Sequence, residues 1–148
     1  ALAGFVNVGG RSDVIDKGYY IIDDTYNSNP LSSLFAVDSV CEVFPENRKI
    51  AVFSDMKELG ESSGLYHVKI GEITASRNFD VIVLYGEMAH LYMKGALNMG
   101  FPEDKIIVFD DKEGIAPFLK GMLLPGDVVL VKGSRSMKME DVVNSLQG

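Results

Sequence analysis

From residue 18 onward the chain alternates between short, uninterrupted apolar runs and segments whose apolar residues recur every three or four positions. The runs fall at 19–23 (YYIID), 49–54 (KIAVFS), 81–85 (VIVLY), 106–109 (IIVF) and 128–131 (VVLV). They are too short for helices and rich in β-branched residues, so they read as strands, with 49–54 apolar enough to be buried on both faces and 81–85 also buried. Between them, Leu34, Val37, Cys41 and Phe44 share one helical face, as do Tyr66, Ile70 and Ile73. Met88, Leu91, Tyr92 and Met99 mark a third helix, and Ile115, Phe118, Leu119 and Met122 a fourth. Met139, Val142, Val143 and Leu146 mark the last. Asn29 followed by Pro30 is a helix-start signal, and Pro125-Gly126-Asp127 is a turn. Strand–helix alternation of this kind predicts an α/β fold: a doubly wound, mostly parallel sheet with helices on both faces. Residues 14–16 are expected to add an antiparallel hairpin strand through Lys17-Gly18. The 148 residues read as one domain, with 1–10 a candidate remnant of an interdomain connection.

Composition narrows the class. The net charge is −7 with no Lys/Arg cluster, which argues against a nucleic-acid partner. There is no apolar run near membrane-spanning length and no signal-peptide pattern at the start, so a cytoplasmic chain without membrane insertion is expected. The single cysteine, Cys41, cannot form an internal disulfide and reads as a small core residue. The chain begins at Ala1 rather than at a methionine, which reads as a processed or excised fragment.

In doubly wound sheets, ligands bind at the carboxyl ends of the strands, so the segments after each strand carry the candidate chemistry. The first strand is followed by Asp24-Thr25-Tyr26-Asn27-Ser28-Asn29. Asp24 could accept hydrogen bonds from a ribose, Tyr26 offers a flat face and a hydroxyl, and Asn27 and Asn29 each offer a donor and an acceptor. Helix capping and turn formation account for Asn29 but not for the whole run. The second strand is followed by Asp55-Met56-Lys57-Glu58-Leu59-Gly60-Glu61, which is either a ligand loop or simply a polar one. Gly86-Glu87 and Asp110-Asp111 follow the third and fourth strands. Lys132-Gly133-Ser134-Arg135-Ser136 follows the fifth and lies before a helix. Backbone N–H groups there, with Lys132 and Arg135, form either a carboxylate or phosphate site or a solvated turn. Arg11, after Gly9-Gly10, either reaches a phosphate or is merely exposed. His67 and His90 are isolated and read as structural or exposed, and no metal-ligand spacing appears. The chain has no G-x-x-x-x-G-K-S/T loop, no G-x-G-x-x-G and no G-x-S-x-G elbow, so any ATP phosphates must be held elsewhere.

These segments, in this order, resemble the Mur ligase family, in the branch that adds D-alanyl-D-alanine to UDP-N-acetylmuramoyl-tripeptide. Asp23-Asp24-Thr25-Tyr26-Asn27-Ser28-Asn29-Pro30 is similar to that branch's D-D-x-Y-N-A-N-P. The run from Ser54 to Glu61 is similar to its G-D-M-x-E-L-G-E, and the run from Pro125 to Met137 to its P-G-D-x-V-L-V-K-G-S-R-S-M. Gly10-Arg11 matches the G-R that opens the family's C-terminal domain, so the likeness spans about residues 10–148. It departs at Ser28 for Ala, Ser54 for Gly and Leu31 for Asp.

The resemblance implies that this chain is the third, Rossmann-like domain of such an enzyme, without the UDP-sugar domain and the P-loop domain. It implies nucleotide contacts from Arg11, Asp24, Tyr26, Asn27 and Asn29, and contacts to the incoming dipeptide from Asp55, Lys132, Ser134 and Arg135. It further implies ATP and magnesium held mainly by the central domain, and partners in the chain's own preceding domains, D-alanyl-D-alanine and UDP-N-acetylmuramoyl-tripeptide. The implied reaction activates the tripeptide carboxylate as an acyl phosphate, which the dipeptide amine then attacks once the domains close. No catalytic residue or metal ligand is expected in this domain alone, and the isolated chain is expected to be inactive.

Two other readings stand beside this one. A phosphoacceptor, receiver-like signalling domain would use Asp23 and Asp24 as its acidic pair, Asp55 as acceptor and Lys132 after the last strand, although Gly133 stands where a proline is usual. A pure interaction domain would use none of these groups chemically.

Overall fold

The computed structural model describes residues 12–148. The elements run β1 (Asp13–Asp16), β2 (Tyr20–Asp24), α1 (Pro30–Val43), β3 (Lys49–Phe53), α2 (Ser63–Ser76), β4 (Val81–Tyr85), α3 (Ala89–Asn98), β5 (Ile106–Phe109), α4 (Ile115–Met122), β6 (Val128–Lys132) and α5 (Glu140–Gln147). The sheet has the order β1-β2-β6-β3-β4-β5, parallel throughout except for β1, which pairs antiparallel with β2. The expected hairpin is present. Gly18 takes φ +88°, a conformation that favours glycine, and donates its N–H to Asp16 Oδ1 at 2.9 Å.

The layers follow from the chirality of the crossovers. β2→β3→β4→β5 steps across the sheet in one direction, and right-handed connections put α1, α2 and α3 on one face. The chain then returns from β5 to β6 in the opposite direction, which puts α4, and after it α5, on the other face. Alternate residues of each strand serve the two cores. Ile22, Ala51, Phe53, Ile82, Leu84, Val128 and Leu130 pack under α1–α3. Ile21, Ile50, Val52, Val83, Val129 and Val131 pack under α4 and α5. Burial on both faces explains why these strands read as continuous apolar runs.

Three helical faces differ from those the apolar spacing predicts. In α1 the buried residues are Ser33, Ala36, Val37, Ser39 and Val40, while Leu34 and Cys41 are only half-buried. Ser33 can lie inside because its hydroxyl hydrogen-bonds with Ser28 Oγ at 3.2 Å. Cys41 is therefore not a core residue, and its Sγ faces Arg77 O at 2.7 Å. In α2 the buried residues are His67, Ile70, Gly71 and Thr74, with Tyr66 exposed, because α2 packs against α3 through glycine rather than through large side chains. Met99 lies beyond the end of α3 and is exposed. α5 buries Val142, Val143 and Leu146 as expected, with Met139 buried just before it. No helix among the described residues is long and apolar enough to cross a membrane.

Candidate functional site

The reversal in strand order creates two crevices at the carboxyl end of the sheet. The connection after β6 leaves toward α5, whereas those after its neighbours β2 and β3 leave toward α1 and α2. A second crevice opens where β4 and β5 send their connections to opposite faces. Ligands of doubly wound sheets bind at such divergences.

The first crevice gathers most of the residues singled out from sequence. Register sets Asp24 of β2 and Phe53 of β3 beside Lys132 of the central strand β6. Lys132 continues the alternation of Val128 and Leu130, so its side chain runs beneath the start of α1. Its Nζ donates to Asp24 Oδ2 at 2.9 Å and to Asn27 O at 3.0 Å. The Lys132 side chain is 0% exposed and that of Asp24 5%. Burial pushes the lysine pKa below its ordinary value, and the Asp24 carboxylate pulls against that shift. The Lys132 ammonium is thus directed at Asp24 and Asn27 and is not exposed, unlike the open cation with which a lysine grips a carboxylate. Asn29 caps α1: its side chain accepts from Ser32 N at 2.8 Å, while Ser32 Oγ accepts from Asn29 N at 3.1 Å. Asn27 Oδ1 accepts from Ser28 N at 2.9 Å. Tyr26 is exposed, and the Arg135 guanidinium lies 4.8 Å from its ring centroid with Nη1 donating to Tyr26 Oη at 3.1 Å. Arg11 lies outside the described residues.

Ser134 joins this crevice to the next. Its Oγ accepts from Lys57 N at 2.7 Å, and its own N–H donates to Asp55 O at 3.1 Å. Asp55 is the other residue whose placement departs from expectation. It is 2% exposed, and its carboxylate accepts from Met88 N at 2.9 Å and Glu87 N at 3.2 Å. It thus caps the approach to α3 from a neighbouring loop, with Gly86 at φ +118° packed against it so closely that a Cβ there would overlap the carboxylate. A carboxylate so engaged is not the open acceptor a receiver-like domain needs. Asp23 and Asp24 also point to opposite faces, so they do not form an acidic pair.

The loop from Asp55 to Lys57 is held from below. Met56 N donates to His67 Nε2 at 2.9 Å, and His67 Nδ1 lies 2.6 Å from Ser63 O, an arrangement that fits a neutral ring with its proton on Nδ1. The Tyr92 ring meets His67 edge-on at 4.9 Å, and its hydroxyl donates to Ser54 O at 2.8 Å. Burial pushes the His67 pKa down and the Tyr92 pKa up. A folded-state His pKa below the unfolded one means that the unfolded chain takes up the proton first. The stabilisation is thus present above the ordinary value of 6.5 and lost as pH falls below it. Thermal unfolding followed from pH 7 to pH 5 should show a falling midpoint in the native chain and a flatter dependence in His67→Gln. Parallel curves for the two would refute this role.

Ser54 Oγ has no hydrogen-bond partner among the described residues although it is buried. It lies against Gly133, where a Cβ would also come within 2.9 Å of Met139 Cγ. Ser54→Ala removes the unsatisfied hydroxyl and is expected to raise stability by about 1 kcal/mol, measured by urea unfolding. A loss of stability would show that the hydroxyl is satisfied in solution.

The second crevice is a cleft of about 370 Å³ lined by Asp55, Lys57, Tyr85, Gly86, Glu87, Val108, Phe109, Asp110 and Met137. Its exposed Lys57 and its two exposed acids, Glu87 and Asp110, set opposite charges around an apolar wall. Sequence reasoning noted Glu87 and Asp110 only as strand-end residues and did not single out Lys57. Their one signal was position after a strand. No group of His, Cys, Asp or Glu among the described residues could hold a metal ion.

Residues 10–135 match the family described as Mur ligase, glutamate ligase domain. A UDP-N-acetylmuramoyl-tripeptide–D-alanyl-D-alanine ligase of Bacillus subtilis is 31% identical over 98% of this chain and 32% of its own length. The ligase of the same name from Buchnera aphidicola is 39% identical over 92% of this chain and 28% of its own. A crystal structure of a MurF ligase from Thermotoga maritima in complex with ADP superposes with TM-score 0.77 and 34% identity, covering 93% of this chain and 30% of that one. The chain thus spans less than a third of the length of these relatives. With its fold, its strand-end motifs and its sequence all in agreement, the chain belongs to the Mur ligase family, in the region of the glutamate ligase domain.

Proposed function

We propose that the chain is the C-terminal domain of an ATP-dependent amide-bond ligase that joins D-alanyl-D-alanine to UDP-N-acetylmuramoyl-tripeptide in peptidoglycan precursor synthesis. The observation that carries this reading is the pair of adjoining crevices, one edged by Asp24, Tyr26, Asn27 and Asn29 and the other a cleft of mixed charge, in a chain whose relatives bear that name. Asp24 and the exposed Tyr26 suit the ribose and base of a nucleotide. The ADP bound by the Thermotoga maritima relative supports a nucleotide here. The chain has no phosphate loop, so the phosphates and magnesium are assigned to the preceding domain, as is Arg11's approach to them. ATP supplies the phosphoryl group that activates the tripeptide carboxylate.

The residues of this chain bind and orient. A zwitterionic dipeptide fits the second cleft, its ammonium toward Glu87 and Asp110 and its carboxylate toward Lys57, whose Nζ lies 3.5 Å from Asp55 Oδ2. Arg135 does not line the cleft and would have to leave Tyr26 to offer the carboxylate its two parallel donors. Asp55 and Ser134 serve the dipeptide indirectly, by holding the loops that carry Lys57 and Glu87. A bacterial cytoplasmic location fits substrates that are soluble and nucleotide-linked.

Phosphate release assayed with all three substrates should require the complete enzyme, and this chain alone should be inactive. In the complete enzyme Arg135→Ala should raise KM for the dipeptide by about tenfold while leaving the unfolding midpoint near that of the native protein. An unchanged KM removes Arg135 from the site, and ligation by this chain alone overturns the reading.

A further inference from the structure

Lys132 is a charged side chain with no exposed surface at the mouth of a ligand crevice, where a solvated lysine would be expected. Its ammonium is used from within. One N–H goes to Asp24 Oδ2 and another to Asn27 O, two acceptors three residues apart, at the end of β2 and in the loop that leads to α1. A single cation on the central strand therefore fixes both the carboxylate and the backbone of that segment. Among the described residues, Asp24 Oδ1 receives no hydrogen bond. Ser134, two residues after Lys132, adds a contact from Oγ to Ser28 O at 3.4 Å, so the same strand end also touches the residue before the α1 cap.

We propose that Lys132 is a positioning residue for nucleotide recognition: by holding Asp24 Oδ2 it leaves Oδ1 as the oxygen that receives the ribose hydroxyls, without touching the ligand itself. This inference rests on the nucleotide reading of the Asp24–Asn29 segment. It assigns Lys132 to the nucleotide rather than to the dipeptide. The physical basis is that a carboxylate held on one oxygen by an ammonium has a fixed plane, and its second oxygen then meets a hydroxyl without having to be reoriented.

The test compares ATP with 2′,3′-dideoxy-ATP in the complete enzyme, by kcat/KM for each. The native protein should prefer ATP by about tenfold or more, the range expected when hydrogen bonds to a charged acceptor are lost. Lys132→Met should weaken the use of ATP and bring the preference to within about twofold of unity, because Asp24 is no longer aimed. Lys132→Arg keeps a cation but cannot reproduce the ammonium geometry in a closed site, and it should reduce the preference in the same direction. It decides the matter if the methionine variant fails to fold. Equal losses for both nucleotides, with the preference retained, would mean a general structural role or direct contact with the phosphates, and would overturn the proposal. Unchanged KM for D-alanyl-D-alanine is expected, and a rise confined to that substrate would also overturn it. A native enzyme that ligates but shows no preference between the two nucleotides refutes the ribose role of Asp24, and this inference with it. A complete protein that does not ligate refutes the functional reading itself.

Discussion

Gly95→Ala is expected to destabilise the domain by about 3 kcal/mol or more, lowering the thermal midpoint by roughly 10 °C. α2 and α3 approach each other through Gly71 and Gly95. A Cβ at Gly95 would overlap the Val68 carbonyl and come within 2.8 Å of its carbon and 2.9 Å of Glu72 N. A Cβ at Gly71 would overlap the Tyr92 carbonyl and lie 3.1 Å from Ala96 N. Both obstacles are backbone, so no rotamer change relieves them and the helices would have to separate. Separation would disturb Tyr92, whose ring and hydroxyl hold His67 and Ser54 beneath the Asp55 loop. The site would then loosen along with the core. Gly121→Ala in α4 is the control. Nothing lies within 4 Å of a Cβ there, and removing a helical glycine should gain up to about 1 kcal/mol. Differential scanning calorimetry of the variants decides the point, and equal midpoints for Gly95→Ala and Gly121→Ala would refute the close-packing account.

Lys132→Met should cost about 3–5 kcal/mol, because it strands the Asp24 carboxylate in a closed site. The loss belongs to the unpaired charge rather than to the pair as such. Adding Asp24→Asn in the same chain should therefore recover part of it, and the two substitutions should be strongly non-additive. Urea unfolding of the single and double variants measures the coupling. Additive losses would show that Asp24 and Lys132 contribute separately, contrary to their 2.9 Å contact.

All five parallel strands were legible from sequence to within a residue. β3, β4 and β6, buried almost throughout, appear as unbroken apolar runs, and even the edge strand β5, with Val108 exposed, keeps an apolar run, so period-two alternation was not needed to find them. The helix faces were less legible. Apolar spacing chose Leu34 and Cys41 over Ser33, and Tyr66 over His67, because it cannot see that a hydroxyl or an imidazole has a partner waiting inside. Gly71 and Gly95 carry no apolar signal at all, yet they set the spacing of two helices.

The candidate site divides along the same line. Its residues could be found from sequence because strand ends in an α/β fold are ligand ends, and three ordered motifs pointed to the Mur ligases. Their roles could not. For Asp55 and Lys132 the sequence left a ligand contact and a plain polar loop or solvated turn both open, and only the register of β2, β6 and β3, with the approach of the Gly86 loop, shows both turned inward. Lys57, Glu87 and Asp110 lie far apart in the chain and become one cleft only where β4 and β5 send their connections to opposite faces. The amino-acid sequence by itself determined the strands, their order of appearance, the family and the residues at the strand ends. Tertiary structure alone decided which charges are spent on one another and which stay exposed in a cleft, because ion pairing and burial depend on neighbours 33 to 108 residues away that no local pattern encodes.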